Sequence, residues 1–233
     1  MKISVIFLLI TCMLTIITSS YATQMLPQNF VYLNYVAPDI QQDIRYATDD
    51  NFVGNPLPGY ENPDCILTEA TAHALYKVQQ GLNQKGLGLK VFDCYRPQVT
   101  VDKFILWSKD SHDQKMKNEY YPNVDKADFF KLGYVAAKSG HTRGSTVDLT
   151  IIDLRTHQEL DMGTHFDFMD KLSHPFNNAI SAKQYQNRQF LNHVMSQQGF
   201  IPLSKQDTEW WHFTLKNEPF PDTYFNFPIK KPV

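Results

Sequence analysis

The chain has 233 residues, with 22 lysines and arginines against 24 aspartates and glutamates, and a formal net charge of −2 at pH 7. This near-neutral charge gives no basic surface for nucleic acid or for an anionic membrane, so the sequence predicts neither as a partner. Aromatic residues make up 13% of the chain, which is typical of a packed globular domain and argues against a disordered protein.

The first residues have the pattern of a signal peptide. Lys2 precedes an almost wholly apolar run over residues 3–17, and Ser20-Tyr21-Ala22 places small residues where a signal peptidase cleaves. The apolar run is short for a membrane span, which makes a retained helix the weaker interpretation. We therefore expect residues 1–22 to be removed and residues 23–233 to form one domain. The mature protein would be periplasmic or secreted, without a stable membrane anchor.

Predicted helices and strands follow one another irregularly along the chain. Strands are predicted at 30–33, 44–48, 87–93, 147–152 and 209–215, and helices at 68–85, 98–107 and 187–197. A polar stretch at 108–126 is predicted to be an insertion or a lid-type loop. This mixture favours an α+β fold, a single domain with a largely antiparallel central sheet flanked by helices, over a doubly wound parallel sheet.

A loop rich in glycine, serine and threonine begins at Ser139 and leads into the predicted strand at 147–152, which is apolar on both faces. Asp148 lies inside this strand, and His141 lies in the loop before it. A carboxylate that leaves water is costly unless its charge is compensated. A metal ion bound jointly by His141 and Asp148 would compensate that charge, and we expect it to lie in a cleft on the sheet.

The stretch Glu209-Trp210-Trp211-His212 supplies the remaining groups of a catalytic zinc site. A glutamate and a histidine three residues apart, among large aromatic residues, are not expected to be solvated surface groups. A catalytic zinc takes three protein ligands of nitrogen or oxygen type and leaves a fourth position for water. His141, Asp148 and His212 would be these ligands, and Glu209 would move a proton from the water to the leaving amine.

Arg96 is the candidate for stabilising the negative charge that develops on the substrate. It follows the predicted strand at 87–93, and a fixed guanidinium would bind the oxyanion of the transition state more tightly than the ground state. For each of these polar residues taken alone, a buried hydrogen-bonded side chain without a catalytic role is the commoner case. His165 and His174, near an acidic stretch, stay open as alternative ligands.

Cys65 and Cys94 are the cysteines of the predicted mature domain. Disulfides persist in exported proteins, so a bridge between the two is one outcome. The other outcome is two buried free thiols that pack as small apolar side chains. The choice depends on the Cα separation, which a sequence does not show.

Three motifs occur together in this chain: Ser-x-His-x-Arg-Gly-Ser-x-x-Asp-Leu-Thr at 139–150, Glu-Trp-Trp-His at 209–212 and Tyr-Arg-Pro at 95–97. As a set they resemble the VanX-type D-alanyl-D-alanine dipeptidases. These are zinc peptidases whose family also contains D,D-carboxypeptidases and shares its metal-site architecture with hedgehog-type domains. The likeness continues in segments such as Tyr120-Tyr121-Pro122-Asn123, and so spans nearly the whole of the predicted mature chain.

The resemblance implies a chemistry and the residues that carry it. It implies one Zn2+ per chain, with His141, Asp148 and His212 as the zinc ligands. Glu209 would be the general base and acid, and Arg96 would stabilise the transition state. The implied reaction is the hydrolysis of free D-Ala-D-Ala to two D-alanines.

The resemblance also implies how the two ends of the dipeptide are bound. Tyr46 and Asp167 would hold the ammonium group, and Ser139 would help to fix the dipeptide near its carboxylate. A small site that binds both charged ends would reject longer peptides, because an extra residue would leave buried charges unpaired. Gly140 and Thr142 stand where VanX-type relatives have serine, and these small-for-small changes put little in doubt.

Two other functions stay open on the sequence. A D,D-carboxypeptidase would trim the stem peptide of peptidoglycan itself. A binding protein on the same fold would lack the catalytic carboxylate, which Glu209 supplies here. An exported enzyme is poorly placed to remove D-Ala-D-Ala before it enters wall precursors, so the signal peptide favours nutrition or wall turnover over glycopeptide resistance. The oligomeric state cannot be predicted from these patterns.

Overall fold

The computed structural model describes residues 26–202 and 208–232. The predicted signal peptide at residues 1–22 therefore lies outside the described residues. Within the described part of the chain, no helix is both long enough and apolar enough to cross a membrane.

The described residues form seven β-strands and six α-helices, with short 3₁₀ turns between them. The strands are β1 (Phe30–Tyr32), β2 (Gln41–Gln42), β3 (Ile66–Thr68), β4 (Leu87–Asp93), β5 (Thr146–Asp153), β6 (Phe200–Pro202) and β7 (His212–Leu215). The helices are α1 (Leu33–Val36), α2 (Glu69–Asn83), α3 (Gln98–Lys109), α4 (Lys117–Tyr120), α5 (Phe129–Leu132) and α6 (Ala182–Ser196). This mixture confirms the predicted α+β class.

Five strands form the central sheet in the order β2-β4-β5-β7-β6, and β1 pairs with β3 in a separate two-stranded sheet. The pairs β4–β5, β5–β7 and β6–β7 are antiparallel, whereas the short edge strand β2 runs parallel to β4. The sheet is therefore mixed, and the predicted antiparallel arrangement describes only part of it. The parallel edge arises because β3 and α2 separate β2 from β4 in the chain, which leaves enough length for a crossover connection.

β5 runs through the middle of the central sheet, and its residues from Thr146 to Ile152 are all buried. Its β-branched side chains suit a strand that is covered on both faces. In the register of the sheet, Asp148 lies opposite Asp93 of β4 and opposite His212 of β7. Because side chains directly opposite each other point to the same face, these three polar groups form one row across the sheet.

One predicted strand is wrong. Residues 44–48 contain a 3₁₀ turn at Arg45–Ala47 in place of a strand. The side-chain amide of Asn51 donates to the carbonyl of Thr48 at 2.7 Å and to that of Arg45 at 3.4 Å. These bonds close the turn, and they outweigh the strand-like pattern of the sequence.

The last predicted helix and strand have different bounds in the structure. Ser181 and Gln184 form a capping box, so α6 begins before the predicted range of 187–197. β7 covers only the second half of the predicted range of 209–215, because the backbone N–H of Trp210 donates to a loop carbonyl outside the sheet. Both differences come from hydrogen bonds that apolar periodicity does not report.

Candidate metal centre

The candidate metal ligands come from two neighbouring strands and the turn before them. Asp148 on β5 and His212 on β7 lie opposite each other. His141 lies in a 3₁₀ turn at Gly140–Arg143, at whose start the Ser139 hydroxyl accepts a hydrogen bond from the backbone N–H of His141 at 3.3 Å. One nitrogen or oxygen atom from each of the three ligand side chains lies within 4.8 Å of the other two.

The three candidate ligands converge closely and are shielded from water. His141 Nε2 lies 3.2 Å from Asp148 Oδ2, and His212 Nδ1 lies 3.1 Å from Asp148 Oδ1. The same two imidazole nitrogens are 3.3 Å apart. Asp148 Oδ1 is buried and lacks a well-aligned hydrogen-bond partner among the described residues, despite its short distance to His212. Two imidazoles and a carboxylate in this arrangement fit a tetrahedral zinc ion with one open position.

The charge of Asp148 suits a metal ligand. Burial by itself would raise the pKa of Asp148, but the neighbouring His141 and His212 side chains hold that pKa well below its ordinary value. Metal binding requires the carboxyl group to be deprotonated. The site therefore keeps this ligand in the form that binds a cation.

The backbone of Cys94 orients the ring of His141. His141 Nδ1 lies 2.7 Å from the carbonyl oxygen of Cys94. Because a carbonyl oxygen only accepts, Nδ1 must carry the ring proton, which leaves the lone pair of Nε2 free to bind a metal. Cys94 is joined to Cys65 by a disulfide with a Cα separation of 5.4 Å, so the structure contains the bridge and not two free thiols.

Glu209 is a further carboxylate beside the candidate ligands. Its Oε2 lies 3.5 Å from His212 Nδ1, and the buried Trp210 and Trp211 follow it in the chain. Burial, and to a lesser degree the charge of Asp148, raises the pKa of Glu209 to about 7 although the charge of His212 opposes the change. Glu209 thus lies next to the converging ligands without being one of the three, as a proton carrier must.

Arg96 is held in place by Asp93, a residue that the sequence patterns did not single out. Nε and one terminal nitrogen of Arg96 lie 2.8 and 2.7 Å from Asp93 Oδ2. The other oxygen of Asp93 accepts a hydrogen bond from the Tyr60 hydroxyl at 2.5 Å. The same terminal nitrogen of Arg96 lies 3.7 Å from Asp148 Oδ2. The guanidinium is therefore fixed beside the candidate metal centre. The charge of Asp93 at the end of an apolar strand is the signal that could have identified it.

Tyr46 and Asp167 form a second buried polar pair. The Tyr46 hydroxyl donates to Asp167 Oδ2 at 2.8 Å. The backbone of Asp167 has a φ of 60°, a left-handed conformation that costs free energy in a residue other than glycine and is common at binding sites. Burial, reinforced by the charge of Asp148, raises the pKa of Asp167 well above its ordinary value. A cationic ligand group beside Asp167 would relieve this unfavourable burial of charge.

One cavity of about 470 Å³ joins these groups. Its lining includes all eight residues that the sequence assigned to the site, namely Tyr46, Arg96, Ser139, His141, Asp148, Asp167, Glu209 and His212. Phe52 and Phe104 add apolar wall to it. The alternative ligands lie elsewhere, since His165 directs both ring nitrogens at backbone carbonyls and His174 lines a different cavity.

The chain matches one protein family and several curated proteins over most of its length. The family described as D-ala-D-ala dipeptidase matches residues 27–230. The chain is 41% identical to a D-alanyl-D-alanine dipeptidase of Enterococcus faecium and 42% identical to one of Streptomyces coelicolor; each match covers 86% of this chain and 98% of the relative. A D-alanyl-D-alanine dipeptidase of Escherichia coli is 33% identical over 79% of this chain and 83% of its own length.

The chain also has a weaker likeness to a solved structure. The vancomycin resistance D,D-pentapeptidase VanY, solved in complex with Zn(II), aligns with 69% of this chain and 78% of its own, at 16% identity and a TM-score of 0.40. The match to the peptidase family and the His-Asp-His donor set together point to zinc as the cofactor. The protein is an enzyme that belongs to the D-ala-D-ala dipeptidase family.

Proposed function

We propose that this protein is an exported zinc dipeptidase that hydrolyses free D-Ala-D-Ala to two D-alanines. The observation that supports this most directly is that the three candidate ligands and Glu209 line one cavity, in a chain of the D-ala-D-ala dipeptidase family. The relatives from Enterococcus and Streptomyces, named as D-alanyl-D-alanine dipeptidases, support the same substrate.

In the proposed mechanism one zinc ion would be held in a cleft on the central sheet. Its ligand atoms would be the two imidazole nitrogens that face each other, Nε2 of His141 and Nδ1 of His212, and the carboxylate of Asp148. A bound zinc ion supplies Lewis acidity, which polarises the substrate carbonyl and makes water more acidic. The N–H at His141 Nδ1 donates to the Cys94 carbonyl, so His141 offers only Nε2 to a metal.

Glu209 and Arg96 act on the peptide bond in this mechanism. The Glu209 carboxylate accepts a proton from the attacking water and donates it to the nitrogen of the leaving D-alanine. Arg96, held by Asp93, directs its guanidinium at the carbonyl oxygen of the substrate, on which negative charge develops. Both side chains line the same cavity, so both can reach one bound dipeptide.

The two ends of the dipeptide are bound by groups of opposite character. The carboxylate of Asp167, supported by the Tyr46 hydroxyl, pairs with the substrate ammonium and so gains the cation that its buried charge needs. Ser139 lies near the substrate carboxylate, at the start of the turn that carries His141. A site that binds both charged ends gives no room to the extra residues of a stem peptide, whose buried charges would stay unpaired.

Export is part of the proposal. The pattern of residues 1–22 supports it, and so does the Cys65–Cys94 disulfide, because disulfides persist mainly outside the reducing cytosol. An exported enzyme of this kind acts on dipeptide released outside the inner membrane, in nutrition or in turnover of the cell wall. A role in glycopeptide resistance is not required.

A panel of peptides tests the proposed activity. We expect the purified mature protein to release D-alanine from free D-Ala-D-Ala and to leave L,L-dipeptides and a stem pentapeptide intact. The activity should be lost in a metal chelator and restored by added zinc, because the chelator removes the Lewis acid. Cleavage of the pentapeptide would identify a D,D-carboxypeptidase instead, and hydrolysis by zinc-free protein would contradict the mechanism.

Replacing Tyr46 with phenylalanine tests the proposed ammonium site. We expect the KM for D-Ala-D-Ala to rise by about 10-fold with a smaller change in kcat, because a hydrogen bond to a charged group is worth about 1.5 kcal/mol. Tyr121→Phe is the matched control, since the Tyr121 hydroxyl is buried without a hydrogen-bond partner among the described residues. An unchanged KM in Tyr46→Phe, measured by steady-state release of D-alanine, would remove Tyr46 from the site.

A further inference from the structure

We propose that the Cys65–Cys94 disulfide is a positioning element of the metal centre, which holds His141 in the orientation that binds zinc. The inference rests on the proposed zinc site and extends it to two residues outside the ligand set. It predicts that loss of the bridge weakens zinc binding beyond any effect of lower stability.

The contact between the bridge and the ligand runs through the backbone of Cys94. The Cys94 carbonyl oxygen lies 2.7 Å from His141 Nδ1, and Asp93 Oδ2 lies 3.4 Å from the same nitrogen. With Nδ1 donating to that carbonyl, the ring directs Nε2 toward Asp148. If the Cys94 carbonyl moves, the ring loses the hydrogen-bond acceptor that fixes its tautomer and its direction.

His141 depends on such support more than the other two candidate ligands do. Asp148 and His212 lie on β5 and β7, and the antiparallel ladder between these strands fixes their backbones. His141 lies outside the sheet, in the short 3₁₀ turn before β5. Its orientation therefore depends on the partner of its second ring nitrogen.

Cys94 itself lies just past the end of a strand. β4 ends at Asp93, and Cys94 begins the short connection to α3 that also carries Arg96. The connection is tied back to the start of β3 by the disulfide to Cys65 and by the backbone N–H of Tyr95, which donates to the carbonyl of Ile66 at 2.9 Å. The bridge is the covalent one of these two ties.

The other end of the bridge is anchored away from the metal centre. The backbone N–H of Cys65 donates a hydrogen bond to the side-chain oxygen of Gln42 at 2.7 Å, which helps to fix this residue. The Cys65 carbonyl accepts a hydrogen bond from the backbone N–H of Leu33 at 2.9 Å. Both cysteines are buried. The disulfide thus joins Cys94, whose carbonyl orients His141, to a buried segment whose backbone is held by hydrogen bonds.

The test compares zinc binding by the wild-type protein and the Cys65→Ser/Cys94→Ser variant. Both are prepared without metal and titrated with zinc against a competing chelator of known affinity. We expect the Kd for zinc to rise by about 10- to 100-fold in the variant, the usual effect of losing an outer partner of a metal ligand. In metal-free protein, the imidazole 15N spectrum of His141 should change from one Nδ1-protonated tautomer to a mixture.

A control separates positioning from stability. Leu82→Ala removes buried side-chain volume at the end of α2 near the start of β4, whereas Cys94 lies just past the other end of that strand. This variant is expected to unfold at a lower temperature while its Kd for zinc and its His141 spectrum stay at wild-type values. A second bridge-free variant, Cys65→Ala with Cys94→Val, conserves the buried apolar volume in case the serine pair does not fold.

The possible outcomes are distinct. Wild-type protein that binds no zinc would contradict the proposed function. Wild-type protein that binds zinc, with a folded bridge-free variant that binds it equally well, would contradict only the positioning role. Failure of both bridge-free variants to fold would also overturn it, because the bridge would then serve the whole fold and not this site.

Discussion

Replacing Glu209 with glutamine is expected to lower kcat for D-Ala-D-Ala by about 100- to 10,000-fold, the range that a positioned proton carrier contributes. Glutamine keeps the size of the side chain and one of its two oxygens, but its amide cannot accept and return a proton at neutral pH. Since Glu209 is not one of the three converging ligands, the variant should still bind one zinc ion per chain. Steady-state release of D-alanine and the zinc content of the same sample measure both expectations.

Glu159→Gln is the matched control for this experiment. Glu159 is a carboxylate that pairs with Lys90 at 2.9 Å and does not line the cavity that joins the candidate ligands. Its replacement should leave kcat and zinc content at wild-type values. A Glu209→Gln protein with full zinc and a kcat within a factor of about 10 of wild type would show that another group carries the proton.

Part of the site could be predicted because its residues break a local pattern. Asp148 is a carboxylate within an apolar strand, and Glu209 and His212 lie among tryptophans, so each is out of place for ordinary packing. The cavity that joins them depends instead on contacts between distant segments. The register that places Asp93 opposite Asp148 is set by the pairing of β4 with β5, which neither strand shows by itself. The charge of Asp93 at the end of an apolar strand marked it as unusual, but its place beside Asp148 could not be predicted from the sequence.

The same distinction applies to the fold. The long helix α2 and the strands β4 and β5 have strong periodicity and were predictable to within a few residues. The short edge strand β2 and the turn at Arg45–Ala47 were not, because side-chain hydrogen bonds such as those of Asn51 decide their conformation. Tyr46 lies in that turn, so its proposed role rests on the family resemblance and not on the local structure expected for it.

The polar row across the sheet links the candidate ligands to Arg96, the proposed oxyanion-stabilising group. Asp148 lies in the middle of it, next to Asp93 on one side and His212 on the other. Asp93 is not one of the candidate ligands. Its Oδ2 binds Arg96, and the same oxygen lies 3.4 Å from His141 Nδ1. One carboxylate oxygen thus binds the proposed electrophile and lies beside a proposed zinc ligand.

Arg96→Lys is expected to lower kcat/KM by about 100- to 1,000-fold, which is the usual loss when one donor to a developing oxyanion is removed. A lysine keeps the positive charge, but its single ammonium cannot replace the two nitrogens that contact Asp93 Oδ2 and still face the substrate. Zinc content should not change. Arg45→Lys is the control, because Arg45 also pairs with two carboxylates, Asp43 and Asp50, but lies outside the cavity lining.

The contact between Arg96 and Asp93 can be tested by combining variants of both residues. If Asp93 acts by holding Arg96, the single variant Asp93→Asn should have a lower kcat/KM than the wild-type enzyme. The double variant Asp93→Asn/Arg96→Lys should then have a kcat/KM only slightly below that of Arg96→Lys alone. Residues that act as one unit give such non-additive losses. Fully additive losses would mean that the two side chains act independently. An Arg96→Lys enzyme with wild-type kcat/KM would remove Arg96 from the mechanism altogether.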